Sequence, residues 1–524
     1  MSSFPWLTLL TLLPLVGGIA VMGLGAADAR RCRRMALAFC LGSAALVLGL
    51  WRAFDSTQGG FQFQESHVWV SQLGIHYLLG LDGLGLVMVL LTALVVPMGI
   101  AASTGLFESP KPGASPSLYY GLVLLLQSGL FGTFTALNFF HWFLFWELSL
   151  IPAFFLVRLW GGPRRAAAAT QFFVYTMFGS VCLLLTFLAL VLATGHVSDF
   201  PALAEWSRDG RLFGAISTNL GFGLSARAAA SLLFAGALIG LAVKVPLMPF
   251  HTWLPAAYTE APSATTMLLT GLMSKMGVYG FLRILLPIFA PELHWFRTPL
   301  LALAVITVVF SACAAFAQRD LKRVLAYSSV NHLGYCLVAI FAVATPAPGV
   351  DAAPLQQAAA LNGVILQMFN HGLTAATLFW FVALLEQRSG GLRGLDDFGG
   401  LRKVVPVFSG LMGIAWFSSL GLPGLNGFVG EFLVFKGVFP LALCSASISV
   451  LGLLVTAVVI LTVIQRVFQG PVNERWAAMP DLTLRERVQL SVPIALMFVL
   501  GVWPQLLLGP VNATVTALVA QLRF

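Results

Sequence analysis

Charge is scarce in this sequence. Only 9% of its 524 residues are Asp, Glu, Lys or Arg, 59% are apolar, and mean hydropathy is +0.91. An average soluble domain is about 25% charged. A water-soluble globule of this length would have almost nothing to cover its surface, and disordered, collagen-like and coiled-coil chains fail on the same ground. Cysteine is scarce too. The six, at 32, 40, 182, 313, 336 and 444, are scattered without a CxxC, which argues against an iron–sulfur cluster, a zinc site or a disulfide framework. No GxGxxG follows a strand and no P-loop is present, so no familiar nucleotide or redox-cofactor device is found. The short alternating segments of a β-barrel are missing as well. The net charge of +9 does not imply nucleic acid, because it follows from where the basic residues sit.

What is present is a series of long apolar runs. They predict fourteen spans, at 4–24, 35–51, 82–104, 117–137, 139–158, 169–194, 228–248, 261–289, 298–317, 321–344, 355–385, 404–439, 445–468 and 487–508, with a short interfacial segment at 511–523. The first run has no basic residue before it and Arg30, Arg31, Arg33 and Arg34 behind it, so it reads as a retained span rather than a cleaved signal. With the N-terminus outside, the inner loops, Lys111 among them, hold 19 Lys and Arg and the outer side 7. By the positive-inside rule both termini lie outside.

Spans 7 and 12 are interrupted, by Pro246, Pro249 and Pro255 in one and by Pro423 among glycines 421–427 in the other. Spans 4–8 (117–289) and 9–13 (298–468) are five-helix units of nearly equal length, and an odd helix count makes them inverted. The expected fold is therefore an all-α polytopic membrane protein with two inverted repeats and discontinuous helices 7 and 12. A three-helix segment (1–110) precedes them, and a last span with its tail (471–524) follows.

A charged side chain at a helix centre costs about 2.5–3.5 kcal/mol on insertion scales, so such residues face the protein interior and usually work. Glu147 sits among aromatic residues with nothing basic near it in sequence; the bland alternative is a carboxylate paired for packing. Lys244 stands at the break in span 7, where snorkelling to the inner end is the alternative. Lys275 lies mid-span beside Gly271, Ser274 and Gly277, which let a helix or water approach. His332 and His371, in adjacent spans, can relay protons near neutrality. Glu431 follows the break in span 12. Lys436 reads as a snorkelling residue. His251 and Glu260 are balanced between function and helix capping, and Asp82 reads as an N-cap. Together Glu147, Lys244, Lys275, His332, His371 and Glu431 form an acid/base series across the membrane, without cofactor or nucleophile, suited to proton transfer. Metal ligation is not expected, since no second ligand follows at helical spacing.

The stretches LAVKVPLMPFHTWLPAAYTEAPSATTMLLTGLMSKMGVYGFLRI, AYSSVNHLGY, FNHGLTAATLF and LPGLNGFVGEF resemble the antiporter-like subunits of respiratory complex I, the proton-pumping NADH:quinone oxidoreductase. They are also similar to subunits of Mrp-type cation/proton antiporters, the alternative. Glu431 in GEF and the length resemble the M-type member. The resemblance implies that Glu147 pairs with Lys244, that Lys275 is the central relay, that His332 and His371 link the halves, and that Glu431 is the exit-side group. It implies one proton path, driven by redox chemistry elsewhere. It places FMN, iron–sulfur clusters and quinone in partner subunits, with none in this chain. The expected partners are the other membrane subunits, above all neighbouring antiporter-like ones, in a bacterial inner membrane.

Overall fold

The computed structural model describes residues 4–25, 28–107, 115–220, 223–345 and 353–522. Lys111 lies outside them. Apolar residues recur around whole helix circumferences here, as they must where lipid replaces water. Among the described residues, eleven helices are long and apolar enough to cross a membrane, or twelve if the bent pair Leu484–Val502 and Gln505–Gln521 is one span. Each of the fourteen predicted spans has a helical counterpart. The three outside the eleven are the 17-residue Trp6–Met22, the broken span 12 and the bent last pair.

Both predicted interruptions are present. Span 7 runs as Ala226–Lys244, leaves helical geometry through the Pro246–Pro249 stretch, and resumes as Trp253–Glu260. Span 12 is Pro406–Ser419 and Asn426–Leu441, with Pro423 in the gap. Proline lacks the amide that the preceding turn needs, so each helix stops there.

Two features depart from the sequence reading. The chain is not wholly α: Gln62–Val70 and Ile75–Leu81 form an antiparallel hairpin, with Glu65 opposite Leu79 and His67 opposite Tyr77. Its strands are rich in aromatic and β-branched residues, which suit a pleated surface. The hairpin is tied down by Glu65, whose carboxylate accepts the amides of Leu7 (2.7 Å) and Thr8 (3.1 Å) at the start of the first helix. Segment 511–523 is not a separate interfacial piece either. Gln505–Gln521 turns by 61° after Leu484–Val502 and buries Leu507, Val511 and Val515, packing on Gly83–Ala102 and Ala353–Ser389.

Three helices are almost fully enclosed: Ser263–Ile288, Leu321–Val343 and Ala353–Ser389. They carry Lys275, His332 and His371 into the centre. At the periphery, Arg165–Ala193 and Leu443–Phe468 expose apolar side chains such as Phe178, Leu185, Leu454 and Leu461.

Candidate functional site

Lys275 opens the regular helix Ser274–Gly280, which is flanked by wider π-helical turns at Leu269–Met273 and Phe281–Leu285. A π turn frees carbonyls from the ladder and occurs often at functional positions. The Lys275 ammonium uses that opening. It donates to the Thr270 carbonyl and lies 2.7 Å from Nδ1 of His371. The lysine is wholly enclosed.

His371 and His332 come from neighbouring helices, and their ring centres are 5.0 Å apart. His332 Nδ1 is 3.0 Å from Oε1 of Glu431, within hydrogen-bond reach. Gln367 Nε2 donates to the same carboxylate oxygen at 3.4 Å, and the Ser419 hydroxyl lies 3.3 Å from His332 Nε2. Nε2 of His371 is buried without a hydrogen-bond partner. A cavity of about 10 Å³, measured to water centres, lies among His332, His371, Thr374, Ser418 and Glu431. That is about the least space one water requires. Four of the six expected residues thus form one line: Lys275, His371, His332, Glu431.

The other two lie apart from that line. Lys244 ends its helix with its ammonium 3.9 Å from the centre of the Trp146 ring and 3.5 Å from the Ser149 hydroxyl. The expected pair with Glu147 is not in ion-pair contact among the described residues. Glu147 is only half-buried, and its Oε1 has no hydrogen-bond partner. The reason is the helical period. Trp146 and Ser149 face the bundle interior, whereas Glu147, with its Oε1 enclosed, lies between that face and the outward one of Leu144 and Ile151, close enough for its charge to act on Lys244. The Ser149 hydroxyl also contacts Met276 Sδ at 3.5 Å, so the first cluster meets the second through Met276, beside Lys275.

The capping alternatives hold for two residues. Asp82 accepts the amide of Gly85 at 3.0 Å, and it also pairs with Arg283 at 2.5 Å. Glu260 accepts the amide of Arg164 at 2.9 Å, ahead of the helix Arg165–Ala193. Lys436 is exposed, as a snorkelling residue is. His251 is buried against Phe310, with its Nδ1 unpartnered.

Sequence reasoning missed the neutral groups Gln367, Ser419, Trp146 and Ser149, which carry no charge to mark them. It also counted Lys322 with an inner loop. Lys322 is buried in the first turn of Leu321–Val343, 3.3 Å from Glu386, with its ammonium donating to the Ala261 carbonyl at 2.9 Å.

Among known proteins, the model of the family described as NADH:quinone oxidoreductase/Mrp antiporter, TM, matches residues 136–462. The NAD(P)H-quinone oxidoreductase chain 4 1 of Nostoc sp. is 32% identical over 99% of this chain and 92% of its own. The NADH-quinone oxidoreductase subunit M of Rhodobacter capsulatus is 33% identical over 98% of this chain and 96% of its own. Among solved structures, a chain of respiratory complex I from Thermus thermophilus with bound NADH superposes with a TM-score of 0.83 at 26% identity. It covers 99% of this chain and 100% of that one.

Proposed function

Since the chain belongs to the NADH:quinone oxidoreductase/Mrp antiporter transmembrane family, we propose that it is the M-type proton-translocating membrane subunit of an NADH:quinone oxidoreductase. The observation that carries this is the row Lys275, His371, His332 and Glu431, with Lys275 2.7 Å from His371, the two rings 5.0 Å apart at their centres and His332 3.0 Å from Glu431. An ammonium 2.7 Å from a neutral imidazole nitrogen can hand over its proton. Taking that proton at Nδ1, His371 can release the one on Nε2, which no protein group holds. The ring of His332 then stands between His371 and a carboxylate that accepts the charge. Lys244, over Trp146 and Ser149, supplies a second ammonium on the side of Glu147.

The energy for this movement comes from electron transfer in partner subunits, and this reading places FMN, the iron–sulfur clusters and quinone there. A membrane partner is supported by the apolar outer face of the same helix, where Leu144, Ile151 and Phe155 are exposed. We assign 117–289 and 298–468 to two inverted repeats that meet at the Lys275–His371 contact, after an N-terminal segment (1–110) and before a last span and tail (471–524). The location is a bacterial inner membrane with both termini outside, from the bias of basic residues.

The test is Lys275→Ala in the assembled complex. Assembly with impaired redox-driven pumping is expected. Normal pumping would make these residues packing elements and end the proposal. Identification of co-purifying chains separates the oxidoreductase from an Mrp-type antiporter.

A further inference from the structure

The connection between spans 8 and 9 holds a carboxylate that the proton line does not use. Glu292 lies in the short helix Ala290–Trp295, on the side assigned above to the outside. It is only 6% exposed, and glutamate is almost never enclosed without a partner. Among the described residues its carboxylate accepts only its own backbone amide and pairs with no cation. Burial outweighs that amide and pushes the carboxyl above its usual range. Arg227 and Arg297, which touch the same short helix, are engaged elsewhere. Arg227 lies 4.6 Å from the centre of the Trp295 ring, and Arg297 donates to the His294 carbonyl at 2.8 Å.

The carboxylate borders a cavity of about 200 Å³, measured to water centres. One water needs about 10–15 Å³ on that measure, so a group of several heavy atoms fits. The other walls are mainly apolar. Leu212 and Ile216, one turn apart, are the buried face of the helix Arg211–Asn219. Phe213 and Trp295 form an aromatic corner, with ring centres 6.4 Å apart and planes at 82°. Enclosed acid and aromatic walls together recognise an organic ammonium. The carboxylate takes its N–H groups and its charge, and the rings attract a cation through their faces. A metal ion needs more ligands than one carboxylate, and no group of three His, Cys, Asp or Glu suited to a metal is found among the described residues.

We propose that this cavity binds a free lipophilic amine, its primary ammonium on Glu292 and its apolar substituent among Leu212, Phe213, Ile216 and Trp295. The site stands apart from the proton line and does not depend on it. The ammonium of phosphatidylethanolamine suits it less well, because a phosphate follows two carbons later and the cavity offers no cation to meet it. The aromatic corner favours an aryl substituent over the thin stem of a lysine.

The test is equilibrium dialysis of labelled phenethylamine against the complete complex in nanodiscs of phosphatidylglycerol, with phenethyl alcohol as the neutral probe. Saturable binding of the amine is expected in the wild type. Glu292→Gln keeps the shape and removes the charge, and should weaken binding about tenfold or more. Ile216→Phe fills the cavity, leaves the carboxylate in place and should weaken binding as well, so the result stays readable if one variant fails to assemble. Equal amine affinity in the wild type and the variants, or equal binding of the alcohol, overturns the proposal. So does the absence of saturable binding to the wild type. A carbodiimide cross-link from Glu292 to a lysine of a neighbouring subunit would also overturn it and make that side chain the occupant. Phosphatidylethanolamine added to the nanodiscs is expected to leave amine binding unchanged. Competition by the lipid would give the site to its head group and overturn the assignment to a free amine.

Discussion

At the scale of single residues, what distinguishes this site is that its lysines lean on neutral partners. Lys275 meets a carbonyl and an imidazole, and Lys244 meets a ring and a hydroxyl. A relay group at these positions must release and regain a proton. Arginine keeps the charge but holds its proton at every working pH. Lys275→Arg and Lys244→Arg are therefore expected to slow pumping about 10²-fold or more while the complex still assembles, measured as proton uptake in vesicles. Wild-type rates in the arginine variants would show that these positions need only a fixed charge. Glu431→Gln poses the complementary question. It can retain the hydrogen bonds to Gln367 and His332 but cannot bind and release a proton, so stable assembly with lost pumping is expected. Charge in lipid made these residues readable from sequence. Gln367 and Ser419 carry none, and nothing separates them from the many Gln and Ser that only pack. The separation of Glu147 and Lys244 is not legible in sequence: the two are not in ion-pair contact among the described residues, yet the charge of Glu147 acts on Lys244.

At the scale of elements, one of the discontinuous helices takes its N-terminal cap from far away in sequence. The Pro406–Ser419 helix begins beneath the carboxylate of Asp481, whose two oxygens each accept an amide at 2.9 Å, from Val407 and from Phe408. The helix dipole adds to this attraction. Partial burial pushes the Asp481 carboxyl up, but the amides of Leu482, Val407 and Phe408 and the charge of Arg487 outweigh it and hold the group below the usual carboxylate range. A carboxyl depressed in the folded state stabilises fully above its unfolded value of about 3.9. That contribution fades as pH falls below about 4 and passes through the depressed folded value. Protection of the Val407 and Phe408 amides, their exchange measured against the intrinsic rate at each pH, is expected to fall in this acid window in the wild type. In Asp481→Ala, which loses about 1 kcal/mol of cap energy, protection should be low at neutral pH as well. High protection that does not change with pH in both proteins would show that something else holds this end. The breaks themselves were legible because proline forbids the continuing bond. The hairpin was not, because a short apolar strand and a short apolar helix look alike when lipid hides the periodicity.

For the whole molecule, the repeat boundaries proposed above leave the proton line divided between the two units. Lys275 comes from 117–289, and His371, His332 and Glu431 from 298–468. The two sides meet where Ser263–Ile288 crosses Ala353–Ser389 at Gly271 and Gly372. A Cβ on Gly372 would stand 2.8 Å from the Gly271 carbonyl and 2.7 Å from Leu91 Cδ2. The close approach at this crossing, one turn from Lys275 and next to His371, sets the 2.7 Å contact between them. Gly372→Ala must force the helices apart by several tenths of an ångström, and a proton transfer depends steeply on such a change while a packed membrane bundle tolerates it. The expected outcome is a variant that assembles, melts a few degrees lower, and loses pumping far out of proportion to that stability loss. Gly410→Ala, at a position with open space around it, serves as the control and should leave both unchanged. If Gly372→Ala pumps normally, the Lys275–His371 contact is not the step through which the halves communicate, and protons cross between them elsewhere.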